Sequence, residues 1–151
     1  VTQTTLSVDD AAMITAAVKQ RFPKIREPKQ QDICYATQNR QDAVKLLSSQ
    51  ADIVIVVGSP TSSNSNRLAE LARRLGVPGY MVDSADDLRA EWFEGKQTVG
   101  LTAGASAPEV LVQQVVQQIR AYGATSVRSM DGVVENLKFP LPKGLKLPAE
   151  G

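Results

Sequence analysis

Three features of this 151-residue sequence predict an α/β fold, a parallel sheet with flanking helices. The run Ile53-Val54-Ile55-Val56-Val57 is β-branched, unbroken and short, the pattern of a strand buried on both faces of a parallel sheet. Leu68, Leu71, Ala72 and Leu75 then fall on one helical face, with Gly76 placed to stop the helix. Stretches of strand type and helix type alternate along most of the chain, which implies right-handed crossovers between parallel strands.

Val1 to Leu6 reads as the end of a strand, and Ser7-Val8-Asp9-Asp10 opens a helix with Ser7 as its cap and acid in the first turn. That helix should run to Arg21 or Phe22, bury Met13, Ile14, Ala17 and Val18, and end before Pro23. Residues 23–31 form a polar connector and a candidate domain boundary. Asp32 to Asn39 then leads into a helix from Arg40 to Ser49, with Ala43, Val44 and Leu47 inward. The strand at 53–57 precedes a helix at about 66–75, and a strand Gly79 to Asp83 precedes a helix Ala85 to Phe93. A strand Thr98 to Thr102 precedes a helix Pro108 to Tyr122, and a last short strand is expected at Ser126 to Met130. From Asp131 onward Val134, Leu137, Phe139 and Leu141, with Pro140 and Pro142, suggest an extended tail that needs a surface to lie on.

With 42% hydrophobic residues the chain is long enough for one ordinary core. A net charge of +1 gives no electrostatic footprint for nucleic acid or an anionic membrane. No stretch has the length of a membrane span and none reads as a signal peptide, so a cytoplasmic protein is expected. One cysteine makes no internal disulfide, which fits a reducing compartment, and the chain begins without Met, as though cut from something longer. With no histidine, Ser-His-Asp and Cys-His mechanisms and His-bound zinc are excluded within these residues.

The chemistry concentrates where strands end. Between the strand at 53–57 and its helix lies Gly58-Ser59-Pro60-Thr61-Ser62-Ser63-Asn64-Ser65-Asn66-Arg67, crowded with side chains that donate and accept hydrogen bonds without charge. Added to free amides and the positive end of a helix dipole, such a loop suits an anion, a phosphate or a carboxylate. Taken singly, each Ser or Asn is equally a loop former or cap. Gly104-Ala105-Ser106-Ala107-Pro108-Glu109 follows the strand at 98–102 and has capping-box spacing, Ser106 with Glu109. In an open parallel sheet it would also face the 59–66 loop across one crevice. Thr4 and Thr5 end the first strand and could reach the same edge, although strand end and helix entry account for them. Cys34 stands before a helix start, where free amides favour a thiolate, but a lone cysteine between Ile33 and Tyr35 is equally a small buried hydrophobe.

The motifs Thr4-Thr5-Leu6-Ser7-Val8-Asp9, Asp32-Ile33-Cys34-Tyr35-Ala36-Thr37-Gln38-Asn39-Arg40-Gln41, Val57-Gly58-Ser59, Ser62-Ser63-Asn64-Ser65-Asn66-Arg67-Leu68 and Thr102-Ala103-Gly104-Ala105-Ser106-Ala107-Pro108 occur in order over nearly the whole chain. Together they closely resemble the 4-hydroxy-3-methylbut-2-enyl diphosphate reductase family, IspH/LytB. That resemblance implies an oxidoreductase of the last step of the non-mevalonate isoprenoid pathway. The reaction removes an allylic hydroxyl reductively to give isopentenyl and dimethylallyl diphosphate. It also implies an oxygen-sensitive [4Fe-4S] cluster on three cysteines, of which Cys34 resembles the last. Ser62, Ser63 and Asn64 resemble the diphosphate-binding trio, Ser106 a further diphosphate serine, and Thr4 the threonine near the hydroxyl end of the substrate.

By the same resemblance, residues 1–30 are the end of a preceding α/β domain, 31–130 an α/β domain carrying the diphosphate loops, and 131–151 an extended tail. The other cluster cysteines, and the histidines and glutamate that serve substrate binding and proton delivery, belong to a part not present. The expectation is that this half alone neither assembles the cluster nor turns over substrate, with no catalytic residue of its own, while still binding diphosphate weakly. The implied partners are an allylic diphosphate and an electron donor of ferredoxin or flavodoxin type, with no nucleic acid and no membrane. Two other classes fit the same pattern. One is a flavodoxin-like carrier, for which Tyr80 and Trp92 are the few aromatic candidates. The other is a phosphosugar- or nucleotide-binding module without catalysis.

Overall fold

The computed structural model describes residues 5–26 and 33–130. The expected strand at the N-terminus falls mainly on residues outside that set, and its described end, Thr5 and Leu6, forms a turn and a bend. The tail beyond 130 also lies outside the described residues.

Three parallel strands, β1 (Ile53–Val57), β2 (Gly79–Val82) and β3 (Val99–Ala103), form a sheet in the order β2-β1-β3. β1 is central because all five of its residues are apolar and can be covered on both faces; none of them exposes surface. Val54 and Val56 pack with Val44, Leu68, Leu71 and Ala72, which come from α2 (Tyr35–Ser48) and α3 (Ser63–Arg74). Ile53, Ile55 and Val57 face the other way, onto Val115 and Ile119 of α4 (Glu109–Ala121) and onto Leu88. The pleat of one five-residue strand thus divides the core into two layers.

α3 starts at Ser63, earlier than the periodicity suggests, because the Ser62 hydroxyl caps it by accepting from the Ser65 amide at 3.3 Å. It ends at Leu75, and Gly76 follows at φ 84°, a left-handed turn that favours glycine. α2 likewise starts at Tyr35 rather than Arg40, so Cys34 is its cap residue.

Three expectations are overturned. Residues 85–93 form two 3₁₀ turns, Ala85–Asp87 and Ala90–Phe93, instead of a helix. The Asp87 carboxylate folds back to accept from the amides of Asp83 at 2.8 Å and Ser84 at 3.2 Å, closing a capping box over one turn, after which Leu88 and Arg89 are extended. Residues 126–130 form no strand. The first helix, α1 (Val8–Arg21), is capped by Ser7 as expected but buries none of its residues: Met13 is 65% and Ile14 61% exposed. Its first turn is pinned instead by polar contacts, the Val8 amide to Gln41 Oε1 at 3.0 Å, Asp9 to Lys45 at 3.0 Å and Asp10 to Arg74 at 2.8 Å. Gln41, itself buried, donates back to the Leu6 carbonyl at 2.9 Å, so α2 and α3 hold the entry to α1 and leave its apolar face uncovered.

Asp52 closes the amino end of the sheet, just before β1. Its carboxylate accepts from the amides of Gln97 and Thr98, both at 2.9 Å, and its own amide donates to the Thr98 carbonyl. The Thr98 amide, then the Gln97 amide, hold its carboxyl below the usual range; the Arg74 guanidinium does the same for Asp10. A carboxyl more acidic in the folded chain adds stability that is complete above its unfolded value of about 3.9 and is lost as pH falls through the lowered folded value. Asp52→Asn is therefore expected to lower the melting temperature at pH 7, with the gap to wild type narrowing as the pH is taken below about 4. A pH-independent gap in thermal melts would contradict this origin.

Candidate anion-binding crevice

β1 lies between β2 and β3; the chain after β1 crosses one face of the sheet as α3, and the chain after β3 enters α4 on the other face. The carboxyl ends of β1 and β3 therefore mark a switch point, where an open parallel sheet leaves a crevice between diverging loops. Val57 pairs with Ala103, and the Gly104 amide donates to the Val57 carbonyl at 2.8 Å, so the two loops leave the sheet side by side. Ser65, fully buried, stands between them: a Cβ built on either Gly58 or Gly104 would fall on its hydroxyl. Both positions exclude a side chain for that reason.

The polar loop sorts into residues that hold it and residues left over. Ser59 Oγ lies 2.9 Å from Thr61 Oγ1 and accepts from the Thr61 amide, while the Asn66 amide group donates to the carbonyls of Pro60 at 2.8 Å and Ser62 at 3.0 Å. Those side chains shape the turn. Ser62, half-buried, caps α3 and accepts a second hydrogen bond from Ser65 Oγ at 3.0 Å. Ser63 is exposed on the first turn. Asn64, beside it, is 6% exposed, and neither its amide nitrogen nor its oxygen has a hydrogen-bond partner. The amides of Ser63 and Asn64 lie in the first turn, where a helix offers no carbonyl to receive them.

Across the crevice, the Ser106–Glu109 capping box does not form. Ala107 precedes a proline and is biased away from helical angles, so α4 starts only after Pro108, which takes the cap position with no side-chain bond. Glu109 accepts from Gln113 at 2.7 Å instead, and Ser106 is exposed in the loop. Thr4 lies outside the described residues.

Cys34 is exposed at the start of α2. Arg40 on that helix donates from Nε to the Ala103 carbonyl and from Nη1 to the Ala36 carbonyl, both at 3.2 Å, tying the first turn of α2 to the end of β3. Cys34 stands six residues before Arg40, about 9 Å along the helix at a rise of ~1.5 Å per residue. Among the described residues no three His, Cys, Asp or Glu side chains gather as a metal site. Cys34 is the single thiol of the chain. Tyr80 and Trp92 stack on each other, centroids 4.2 Å apart and planes within 5°, as part of the layer beneath α4.

Sequence reasoning named Ser62, Ser63, Asn64, Ser106 and Cys34; it passed over Ser65, Arg40 and the Gly58–Gly104 pair. The signal for the glycines was present, since each directly follows a strand, Gly58 after β1 and Gly104 after β3.

The fold is an α/β domain whose β1 and β3 loops bring uncharged hydrogen-bonding groups to the carboxyl end of a parallel sheet. Residues 1–120 match the family model described as LytB protein, and the chain belongs to that family. It is 76% identical over all 151 residues to a 4-hydroxy-3-methylbut-2-enyl diphosphate reductase of Polaromonas sp. strain JS666, of which it covers 45%. Over 145 residues it is 63% identical to the reductase of the same name from Bordetella pertussis, covering 45% of that protein. The chain thus spans less than half the length of these relatives. Among solved structures it matches the E-1-hydroxy-2-methyl-but-2-enyl-4-diphosphate reductase of Plasmodium falciparum, with a TM-score of 0.88 and 37% identity over 95% of this chain and 46% of that one. No helix among the described residues is long and apolar enough to cross a membrane.

Gly104→Ala is expected to destabilise the chain by about 1–3 kcal/mol in urea titrations, because the added methyl must displace a buried hydroxyl held from both sides. An unchanged midpoint would mean that Ser65 yields at no cost.

Proposed function

We propose that this chain is the diphosphate-holding half of a 4-hydroxy-3-methylbut-2-enyl diphosphate reductase. The observation that carries this reading is Asn64, a buried amide with no partner, set on a helix N-terminus at the switch-point crevice. An unsatisfied buried polar side chain costs about 1–3 kcal/mol and persists where something outside the fold completes it. Phosphate oxygens suit the amide nitrogen of Asn64, the proton of Ser62, the hydroxyls of Ser63 and Ser106, and the free amides of the first turns of α3 and α4. Thr4 is assigned with them, nearer the hydroxyl end of the substrate.

Reductive dehydroxylation exchanges an allylic C–O bond for C–H and releases water, consuming two electrons and two protons. We assign the electron transfer to a [4Fe-4S] cluster, supplied by a donor of ferredoxin or flavodoxin type in the cytoplasm. Cys34 contributes one of three thiolates to that cluster, and the remaining ligands and the proton donors come from the part of the longer protein that precedes this chain. On this reading residues 1–30 end a preceding domain, which would supply the cover that Met13 and Ile14 lack. Residues 58–66 and 104–109 include no lysine or arginine, so on this reading these two loops hold the anion with uncharged groups.

Asn64→Leu, which keeps the volume and removes both orphaned atoms, tests this reading. It is expected to weaken pyrophosphate binding by at least about tenfold in calorimetric titrations of the 151-residue chain, the loss of one hydrogen bond to a charged group. The same variant should melt no lower than wild type without ligand, since an unpaired amide has been replaced by hydrocarbon of similar shape. Unaltered affinity would overturn the assignment of Asn64.

A further inference from the structure

We infer that Ser65, wedged between Gly58 and Gly104, is a positioning residue that fixes Ser62 as a hydrogen-bond donor to the anion. The inference rests on the diphosphate reading of the crevice and goes beyond it, because Ser65 is fully buried and cannot itself reach a ligand. A serine hydroxyl has one proton and two acceptor lone pairs. At Ser62 the two acceptor positions are both taken, one by the Ser65 amide at 3.3 Å and one by the Ser65 hydroxyl at 3.0 Å. What remains is the proton of Ser62, with Ser62 half-buried at the mouth of the crevice. An ordinary N-cap serine accepts one bond and keeps a lone pair with which it can receive water or a ligand donor. Ser62 is denied that alternative.

The geometry explains why position 65 is a serine. Gly58 and Gly104 both leave room for its hydroxyl where a Cβ would fall on it, and the Ser65 Oγ donates to Ser62. Alanine would keep the helix and the capping amide but drop the second donor. The Ser62 hydroxyl would then be free to rotate among several partners, and the orientation that suits an acceptor-only ligand would have to be selected at the moment of binding.

The test is a double-mutant cycle on pyrophosphate affinity in the full 151-residue chain, using Ser62→Ala, Ser65→Ala and the pair, with thermal melts alongside. Ser65→Ala is expected to weaken binding about three- to tenfold, and to have no further effect once Ser62 is alanine, because its influence passes through the Ser62 proton alone. A merely structural role would lower affinity equally in both backgrounds, and that additive result overturns the inference. So does wild-type affinity in Ser65→Ala. Should the alanine variant fold poorly, Ser65→Gly, which adds no atom to the tight gap and likewise removes the donor, carries the same cycle. If the wild-type chain binds no pyrophosphate at all, the diphosphate reading itself falls, an outcome distinct from binding that is indifferent to Ser65.

Discussion

The close approach of the two loops that leave β1 and β3 is the constraint on which the rest of the crevice depends. Val57 and Ala103 are register partners, the Gly104 amide continues the ladder onto the Val57 carbonyl, and Ser65 fills the gap beyond them. Because that gap admits a hydroxyl and no methyl, three positions are fixed together: two glycines and one serine. The α3 helix starts where it does because its cap, Ser62, is bonded to the residue wedged in the gap. The carboxyl end of the sheet is therefore a built surface. Its shape is set by backbone pairing, which leaves little freedom to the side chains that decorate it.

Holding a multiply charged anion without cations demands many short hydrogen bonds from groups that are already in place. Each bond to a charged acceptor is worth about 1.5–3 kcal/mol, and amides at helix starts cost nothing to orient. The chain prepares the loop by satisfying Ser59, Thr61 and Asn66 internally, so that their hydroxyls and amide stiffen the turn. It leaves Asn64 unsatisfied, a local loss of stability retained at the point where a ligand would repay it. Arg40 spends its guanidinium on backbone carbonyls of α2 and β3, and Arg67 pairs with Glu70 at 2.7 Å. Both cations are thereby engaged structurally.

Much of this was legible in the sequence, for physical reasons that differ by element. The strand at 53–57 declared itself because a five-residue β-branched run has few other uses, and the polar loop because so many Ser, Thr and Asn follow it directly. The same reasoning put Ser62, Ser63 and Asn64 in the loop after that strand and Ser106 in the loop after the strand at 98–102, where the structure has them. The 85–93 segment was misread because its apolar spacing resembles a helix while Ser84 and Asp87 close a single tight turn, a choice made by side-chain to backbone bonds that periodicity does not register. The buried face expected for α1 failed for another reason: Met13 and Ile14 have the right spacing, but what would cover them is not among the described residues. Ser65 was invisible as anything but loop polarity, since its role comes from two glycines distant in sequence that only the parallel register brings against it.

Backbone amide NMR of the ¹⁵N-labelled chain titrated with pyrophosphate tests the central claim most directly. The account predicts saturable shifts concentrated at the amides of residues 59–66 and 104–110, on both sides of the switch point. The competing place for an anion is the exposed basic turn at the end of α1, with Arg21, Lys24 and Arg26. Shifts centred there, or shifts that never saturate, would contradict the crevice as the site.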